Sequence, residues 1–340
     1  MITIRELAKI AGVSPATVSK ALNNQSDISE TMKEHIMELA KEHGYEKRGS
    51  ASSEARKLTG IRVGIVFDDM YSNYYSRLVE CFCDKIYQMI GVPFLLDRMF
   101  SDERGIDFCR YMKKNGIVDG IIYIEDTCDD MAFEEIKFPI VTCQIGNRFV
   151  INPVDSLFTE ELPGLDAAVR QLVELGHSSF AYLGEKKTVS TEEVFHILMD
   201  KYGIPEENQF VEETDLRYED AGYQMMERLF AHSRMPSAII CSYDNIATGA
   251  AISIRDHGFS IPEHFSLTGV DDSRLIIEKG RRVSSVDRKI QEQVDIVVAL
   301  LQKRIQDPKS AVQNVKLLSG FTHGDTIGPR AAWKDRPDEK

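Results

Sequence analysis

The amino-terminal segment contains two helix-start signals separated by a turn signal, and this arrangement constrains the fold more than any other feature of the chain. Thr3 is placed to cap a first helix, and Glu6 three residues later completes a capping-box pattern. Gly12 supplies the backbone freedom of a tight turn, and Ser14 caps a second helix that opens on Pro15. An ordinary helical hairpin is the alternative, but the polar second helix then lacks a surface to contact. The segment therefore predicts a helix-turn-helix that binds DNA.

A third helix follows this pair. Ser29 is placed to cap it and Gly44 to end it, and the apolar residues between them fall on one helical face. These apolar residues are Met32, Ile36, Leu39 and Ala40. Three short helices predict an all-α DNA-binding headpiece over residues 1–46.

The headpiece carries a dense motif that resembles one known protein family. Its matching residues are Thr3-Ile4, Leu7-Ala8, Ala11-Gly12-Val13-Ser14, Thr17-Val18-Ser19, Leu22-Asn23-Asn24, Ile28-Ser29, Ala40 and Gly44-Tyr45. This motif closely resembles that of the lactose/galactose repressor (LacI/GalR) family of bacterial transcription regulators. The resemblance implies that operator bases are read at three positions, namely Pro15, Ala16 and Lys20. It also implies phosphate contacts at five positions, namely Thr3, Thr17, Ser19, Asn23 and Tyr45.

The chemistry of the three base-reading positions is unequal. Pro15 and Ala16 offer only apolar contact to a base edge, such as a thymine methyl group. Lys20 can donate hydrogen bonds to guanine O6 and N7. We therefore expect Lys20 to provide most of the hydrogen-bonded readout, while the phosphate contacts fix the register on the duplex.

The distribution of charge is compatible with DNA binding, although the whole chain has a formal net charge of -13. Residues 1–60 hold 9 of the 41 Lys and Arg and 8 of the 54 Asp and Glu, which leaves 32 basic and 46 acidic residues in the rest of the chain. A weakly basic headpiece on an acidic protein binds DNA modestly, because affinity for the phosphate backbone depends on basic side chains. We therefore expect a homodimer, with two headpieces on a pseudo-palindromic double-stranded operator.

Residues 47–60 form a polar linker that is rich in small residues. A disordered tether is one interpretation, and a short helix capped by Ser53 is the other. The family resemblance implies a hinge helix at the minor groove formed by Ala55, Arg56 and Leu58. In that interpretation, Leu58 is the wedge that kinks the operator.

From residue 61 onward, short apolar runs alternate with amphipathic helical stretches, a pattern typical of parallel sheets covered by helices. The candidate strands form two sets: 61–67, 92–96, 118–124 and 139–145, then 179–183, 238–241, 265–270 and 315–318. Two sets predict two α/β lobes that bind small ligands at the carboxyl ends of their strands, in the crevice between the lobes.

The family resemblance implies the overall architecture. The expected fold is an all-α helix-turn-helix headpiece followed by an α/β two-lobed, periplasmic-binding-protein-like body with parallel sheets. We expect the body over 61–328, with an N-lobe at about 61–155 plus 276–306, a C-lobe at about 156–275 plus 307–328, and a flexible tail at 329–340. The resemblance also implies that the body dimerises and holds an effector in its cleft.

Six residues are candidate effector contacts, namely Asn73, Thr191, Arg217, Tyr218, Asp244 and Asp271. Asp244 follows a strand and opens a helix, so its carboxylate is placed to bind effector hydroxyls, and a helix cap is the alternative. Asp271 follows another strand, where a cap or turn role fits as well as cleft lining. Arg217 suits a carboxylate or phosphate if it lines the cleft, and is otherwise a solvated loop residue. We therefore expect a sugar or sugar derivative as effector, and Arg217 favours an anionic one such as a sugar acid or sugar phosphate.

The sequence does not support catalysis, a metal site or a cofactor. It lacks a Gly-rich phosphate loop, a nucleophile elbow and clustered metal ligands, and His323 with Asp325 falls short of a metal's ligand count. The cysteines lie mostly in apolar stretches, and no apolar run approaches the ~18 residues that span a bilayer, so we expect a cytoplasmic protein. Two alternatives remain open: a DNA-binding regulator that responds to a protein partner, and a sugar- or nucleotide-processing enzyme.

Overall fold

The structure is a computed structural model that describes residues 3–22, 25, 28–43, 60–67, 69–89, 91–97, 105–125, 136–146, 153–186, 188–277 and 280–330. The chain divides into two compact units, Met1–Ile61 and Arg62–Lys340. The first unit contains the headpiece, and the second contains the body.

Three helices form the headpiece: Ile4–Ile10 (α1), Pro15–Leu22 (α2) and Glu30–Glu42 (α3). The capping box is confirmed, because Thr3 Oγ1 accepts a hydrogen bond from Glu6 N and the Glu6 carboxylate accepts one from Thr3 N at 2.7 Å. Ser14 Oγ accepts from Thr17 N at 3.1 Å, which caps α2 as predicted. Gly12 has a φ of 66°, in the region that glycine adopts without strain. The core between the helices consists of Leu7, Ala8, Val18, Ala21, Ile36 and Ala40.

The first lobe of the body contains a six-stranded sheet in which every neighbouring pair is parallel. Its strands are Arg62–Phe67 (β1), Val92–Asp97 (β2), Gly120–Glu125 (β3), Ile140–Gly146 (β4), Asp155–Glu160 (β5) and Asn314–Leu318 (β11), in the spatial order β11-β5-β4-β3-β1-β2. Its helices are Asn73–Gln88 (α4), Gly105–Lys114 (α5) and Ile290–Gln306 (α10). Helix α10 packs on β3, β4, β5 and α4, so a segment from late in the chain completes this core.

The second lobe contains another six-stranded sheet, parallel except for the pair β10–β12. Its strands are Phe180–Glu185 (β6), Gln209–Thr214 (β7), Ala238–Cys241 (β8), Ser266–Val270 (β9), Ser284–Asp287 (β10) and Gly320–Thr322 (β12), in the spatial order β12-β10-β9-β8-β6-β7. Its helices are Leu162–Glu174 (α6), Val189–Lys201 (α7), Tyr218–Phe230 (α8) and Asp244–Asp256 (α9). Strands β6 and β8 are nearly continuous apolar runs, as buried parallel strands commonly are, whereas β9 and β10 also bury the polar residues Ser266, Thr268, Ser284 and Ser285.

Two glycines allow helices α8 and α9 to pack closely. A Cβ atom at Gly222 would overlap the carbonyl oxygen of Ile246, and one at Gly249 would overlap the carbonyl oxygen of Glu219. Any larger side chain at either position would push the helices apart. This contact holds the first turns of α8 and α9 together at the carboxyl edge of the sheet.

Strand pairing corrects the expected lobe boundaries at three strands. Strand β5 pairs with β4 in the first lobe, although the C-lobe was expected to begin at residue 156. Strand β10 pairs with β9 in the second lobe, although 276–306 was expected in the N-lobe. Strand β11 pairs with β5 in the first lobe, although 307–328 was expected in the C-lobe. Lobe membership depends on which distant strand a segment pairs with, and no local pattern records that partner.

The carboxyl-terminal segment is attached to the second lobe beyond the expected start of the tail at residue 329. The backbone N–H of Arg330 donates to the carbonyl oxygen of Leu175 at 3.0 Å. The buried His177 lies with Nε2 3.0 Å from the carbonyl oxygen of Gly328. The tail prediction is therefore wrong for residues 329 and 330, and residues 331–340 lie outside the described part of the chain.

Two observations on the described residues concern membrane insertion and metal binding. Within them, no helix is both long enough and apolar enough to cross a membrane. Over the same residues, His, Cys, Asp and Glu side chains form no group of three or more that could hold a metal ion.

Candidate functional site

The outward face of α2 is the candidate DNA-contacting surface. Pro15, Ala16 and Lys20 are exposed on this face, whereas Val18 and Ala21 on the opposite face are buried in the headpiece core. The structure thus brings the three predicted base-reading residues together on one exposed helical surface. This arrangement is what insertion of a recognition helix into the major groove requires.

The predicted phosphate contacts are only partly described. Thr3 is exposed, and hydrogen bonds from its backbone and hydroxyl lower the pKa of Glu6, so an ionised carboxylate holds the cap. Thr17 is half-buried, with Oγ1 2.8 Å from Ser14 Oγ, and Ser19 is half-buried two residues later. The other predicted DNA contacts lie outside the described residues, namely Asn23, Tyr45, Ala55, Arg56 and Leu58.

Charged and aromatic residues of both lobes, together with one threonine, meet near the carboxyl ends of the strands. We call this group the interlobe site. It consists of Asp69, Tyr74, Glu161, Glu185, Thr191, Arg217, Tyr218, Tyr243, Asp271 and Arg288. The position agrees with the general rule for α/β sheets, which bind ligands at the carboxyl ends of their strands.

The first half of the interlobe site is centred on Arg217, which directly precedes α8. Arg217 Nη1 lies 2.6 Å from Asp69 Oδ2 in the first lobe, and the Tyr218 hydroxyl donates to the same oxygen. Arg217 Nε lies 3.5 Å from Glu185 Oε2, and the Tyr243 hydroxyl donates to Glu185 Oε1. Burial opposes the charge of Arg217, but Glu185 and Asp69 outweigh it and raise its pKa. The guanidinium is therefore a permanent cation held between two carboxylates.

The second half of the interlobe site is centred on Arg288, which directly follows β10. Arg288 Nη2 donates to Glu161 Oε1, and Arg288 Nη1 lies 2.7 Å from Asp271 Oδ1. The guanidinium carbon lies 4.8 Å from the centre of the Tyr74 ring, which is cation–π distance. Thr191 Oγ1 donates to Glu161 Oε2 at 3.0 Å. This half therefore also joins side chains of both lobes.

The two arginines differ in accessibility. The side chain of Arg217 is 31% exposed and that of Arg288 is 11% exposed, whereas the carboxylates of Asp69 and Glu185 are 2% and 3% exposed. A ligand entering between the lobes therefore meets Arg217 as the more accessible cation. Around it lie acceptors and phenol groups that can bind hydroxyls.

Asp244 supports the site from behind and does not reach it. Its side chain is 0% exposed, Oδ1 accepts from Ser285 Oγ at 2.6 Å, and Oδ2 accepts from Ser273 N at 2.7 Å. Burial raises the pKa of Asp244 to about 7, although these hydrogen bonds oppose the rise. The residue that caps α9 is Tyr243, so the carboxylate of Asp244 does not cap its helix, and it is buried behind the interlobe site. It fastens the turn after β9 to β10.

The turn after β9 has an unusual backbone. Asp271, Asp272 and Arg274 have φ angles of 110°, 46° and 55°, a left-handed region that costs non-glycine residues energy. Asp271 from this turn contacts Arg288, and the carbonyl oxygen of Asp272 accepts from Arg77 Nη1 of the first lobe at 2.8 Å. Asp244 therefore holds a strained turn that contributes both to the site and to the contact between the lobes.

The remaining predicted residue, Asn73, is half-buried at the start of α4, where its carbonyl oxygen accepts from Ser76 Oγ. The sequence prediction missed six residues of the interlobe site, namely Asp69, Tyr74, Glu161, Glu185, Tyr243 and Arg288. A signal existed for four of them, because Asp69, Glu161 and Arg288 are charged residues just after a strand, as Asp271 is, and Glu185 is the last residue of β6. What the sequence does not record is which of these charged residues pair with one another, since the partners come from segments distant along the chain.

Two family models match the chain. The model described as "Bacterial regulatory proteins, lacI family" matches residues 3–47, and the model described as "Periplasmic binding protein-like domain" matches residues 169–327. Among curated proteins, the probable HTH-type transcriptional repressor ExuR of Bacillus subtilis (strain 168) is 27% identical over 333 residues. That alignment covers 96% of this chain and 98% of the relative.

Solved structures share the fold. A LacI family transcriptional regulator from Enterococcus faecium with bound ribose has a TM-score of 0.67 and 21% identity, over 79% of this chain and 99% of that one. The lac repressor dimer bound to operator and the anti-inducer ONPF has a TM-score of 0.66 and 19% identity, over 96% of this chain and 99% of that one. The headpiece and the two-lobed body are thus both features of known structures.

Proposed function

We propose that a small carbohydrate-like effector in the interlobe site controls this chain. The chain belongs to the lacI family of bacterial regulatory proteins and is a DNA-binding transcriptional repressor. The observation that carries the proposal is the meeting of two arginines with carboxylates and tyrosines of both lobes at the strand ends. Sugar hydroxyls both donate and accept hydrogen bonds, so a site that presents both kinds of partner suits them. The ribose bound by the Enterococcus faecium neighbour supports this ligand class.

Arg217 favours an effector that carries a carboxylate or phosphate. Its guanidinium is the more exposed of the two cations and can bind an anionic group through two parallel hydrogen bonds. The ring of Tyr218, 4.6 Å from the guanidinium carbon, gives that end of the site an apolar wall. A sugar acid or sugar phosphate combines the anionic group with hydroxyls for the neighbouring carboxylates.

On DNA, the proposed roles follow the exposed face of α2. Lys20 donates to guanine in the major groove, while Pro15 and Ala16 contact apolar base edges. Thr3, Thr17 and Ser19 contact phosphates, which fix the register. A homodimer would present two such faces to a pseudo-palindromic operator, as the lac repressor dimer is bound to its operator.

Control requires coupling between effector and DNA binding. We propose that the effector changes how the two lobes meet and thereby changes operator affinity. A coupling free energy of about 1–3 kcal/mol gives an affinity change of about 5- to 150-fold, which is enough for a useful switch.

DNA binding is tested by a mobility-shift assay on the DNA around the protein's own gene, with and without a metabolite panel. Lys20→Ala should lose about 1–3 kcal/mol of discrimination between operator and random duplex. Lys9→Ala is the matched control, because it removes an exposed lysine of α1 and should weaken binding to both duplexes equally. If Lys20→Ala loses as much affinity for random duplex as for the operator, as expected of Lys9→Ala, the role of Lys20 in reading bases is contradicted.

Effector binding is tested by thermal shift with paired neutral and acidic sugars, such as glucose and glucuronate. Arg217→Gln should abolish stabilisation by the acidic sugar. Arg228→Gln is the matched control, because it removes an exposed arginine of α8, the helix that Arg217 precedes. Its described contacts are the Glu213 carbonyl, Gln224 and Glu212. Stabilisation by neutral sugars alone would refute the anionic effector. If cell extract but no metabolite changes operator affinity, a protein partner is the regulator instead.

A further inference from the structure

Asp69 links the two lobes by pairing with Arg217, the more accessible arginine of the interlobe site. It follows β1 in the first lobe, and its Oδ2 atom accepts from Arg217 and from the hydroxyl of Tyr218 in the second lobe. The Asp69 carboxylate is 2% exposed, whereas the Arg217 side chain is 31% exposed, so the carboxylate end of this ion pair is shielded from water. A buried carboxylate is costly to leave without a partner.

Both ends of this contact are fixed. Asp69 Oδ1 accepts from Tyr71 N at 2.8 Å, which holds the carboxylate to its own lobe. Tyr218 has a φ of 58°, and its backbone N–H donates to the Tyr243 hydroxyl at 3.0 Å, which holds the strained residue in place. The contact therefore links the two lobes through groups that cannot easily move aside.

The donors that meet Asp69 are the donors that an effector carboxylate would need. Arg217 and Tyr218 present a guanidinium N–H and a phenol O–H to a single carboxylate oxygen. We propose that Asp69 is an internal counter-anion. Its carboxylate occupies the place of the effector's anionic group on Arg217 and holds the two lobes together until that group displaces it. This inference rests on the proposed function and names how the same site is regulated.

Displacement of Asp69 from Arg217 by an effector anion would explain why the site selects an anionic sugar over a neutral one. An anionic effector replaces one carboxylate on Arg217 by another, while Asp69 keeps its bond from Tyr71 N and is released to water as the lobes part. A neutral sugar would separate Arg217 from Asp69 without replacing the lost charge, which is unfavourable in a shielded site. Glu185 remains on Arg217 throughout, because it belongs to the same lobe.

The test compares the full-length protein with Asp69→Asn, which keeps the shape and the acceptor for Tyr71 N but removes the charge. Asp166→Asn is the matched control, since Asp166 also accepts from a cation and a tyrosine, Lys201 at 2.5 Å and Tyr202 at 2.9 Å, within the second lobe alone. Small-angle scattering without ligand measures lobe opening. Calorimetric titration measures binding of glucuronate and glucose.

We expect Asp69→Asn to increase the radius of gyration and to bind glucuronate about 5- to 150-fold more tightly than the wild type, the range of an ordinary coupling. Glucose binding should change less, and Asp166→Asn should behave as the wild type in both measurements. Without effector, Asp69→Asn should shift operator affinity in the direction in which effector shifts the wild type. Tyr218→Phe removes one cross-lobe donor without changing charge and should give a smaller shift of the same sign.

The outcomes separate this inference from the proposed function. Unchanged scattering together with unchanged or weaker glucuronate binding in both Asp69→Asn and Tyr218→Phe would overturn the internal counter-anion. If scattering shows that the lobes of Asp69→Asn open, but neither this variant nor the wild type binds glucuronate, the result would support the role of Asp69 in holding the lobes together and refute the anionic effector.

Discussion

Replacing Asp244 by asparagine should remove a pH-dependent loss of stability from the body. Asp244 is fully buried, and burial raises its pKa from 3.8 to about 7 despite hydrogen bonds from Ser285 and Ser273. In the unfolded chain the carboxyl group titrates near its ordinary value. Between the two pKa values the folded protein holds a proton that the unfolded chain has released, so the stability of the wild type falls as pH rises through this window.

The magnitude follows from the shift. Each unit of pKa difference corresponds to about 1.4 kcal/mol, so the wild type should lose about 4 kcal/mol in all between about pH 4 and pH 7. The amide of the Asp244→Asn variant cannot ionise, and it can still accept from Ser273 N and donate to Ser285 Oγ. The stability difference between Asp244→Asn and the wild type should therefore grow by about 2–3 kcal/mol from about pH 5 to pH 7 and level off above about pH 8.

The assay is urea or calorimetric unfolding of both full-length proteins in a buffer series across this range. Taking the difference between the two proteins cancels the other titrating groups, including the buried His177, whose pKa is lowered by burial. Stability curves that stay parallel at every pH would refute the account of Asp244 as a buried carboxyl that is neutral below about pH 7.

Three further changes test the fold. Leu7→Ala truncates a fully buried side chain of the headpiece, so it should lower the unfolding free energy of the headpiece by about 2–5 kcal/mol and abolish operator binding. An equal loss of stability in the calorimetric transition of the body would contradict the two-unit division. Thr3→Ala should cost about 1 kcal/mol of headpiece stability in thermal unfolding followed by circular dichroism, and no loss would mean that the capping box is dispensable. Gly249→Ala should cost the body about 1–3 kcal/mol in urea unfolding, because its Cβ would overlap the Glu219 carbonyl. Gly64→Ala is the control with its nearest neighbour at 3.5 Å, and an equal cost in both would refute the close-packing argument.

Local signals were sufficient for the headpiece. The capping box of Thr3 and Glu6, the positive φ of Gly12 and the cap at Ser14 each involve atoms within a few residues, so the sequence records both partners. The strand at 238–241 was likewise predictable from a short apolar run. Strand β7, with the sequence Gln-Phe-Val-Glu-Glu-Thr, was missed because it lies at a sheet edge and lacks such a run.

The sequence by itself therefore determined the helix-turn-helix, the alternation of strands and helices, and the presence of arginine and carboxylates near strand ends. Only the tertiary structure decided which lobe each strand joins, that Asp244 is buried behind the site, and that Arg217 pairs with Asp69 of the other lobe. The physical reason is distance along the chain. Caps and turns are made by neighbours, whereas Asp69 and Tyr218, 149 residues apart, meet only after both sheets have formed.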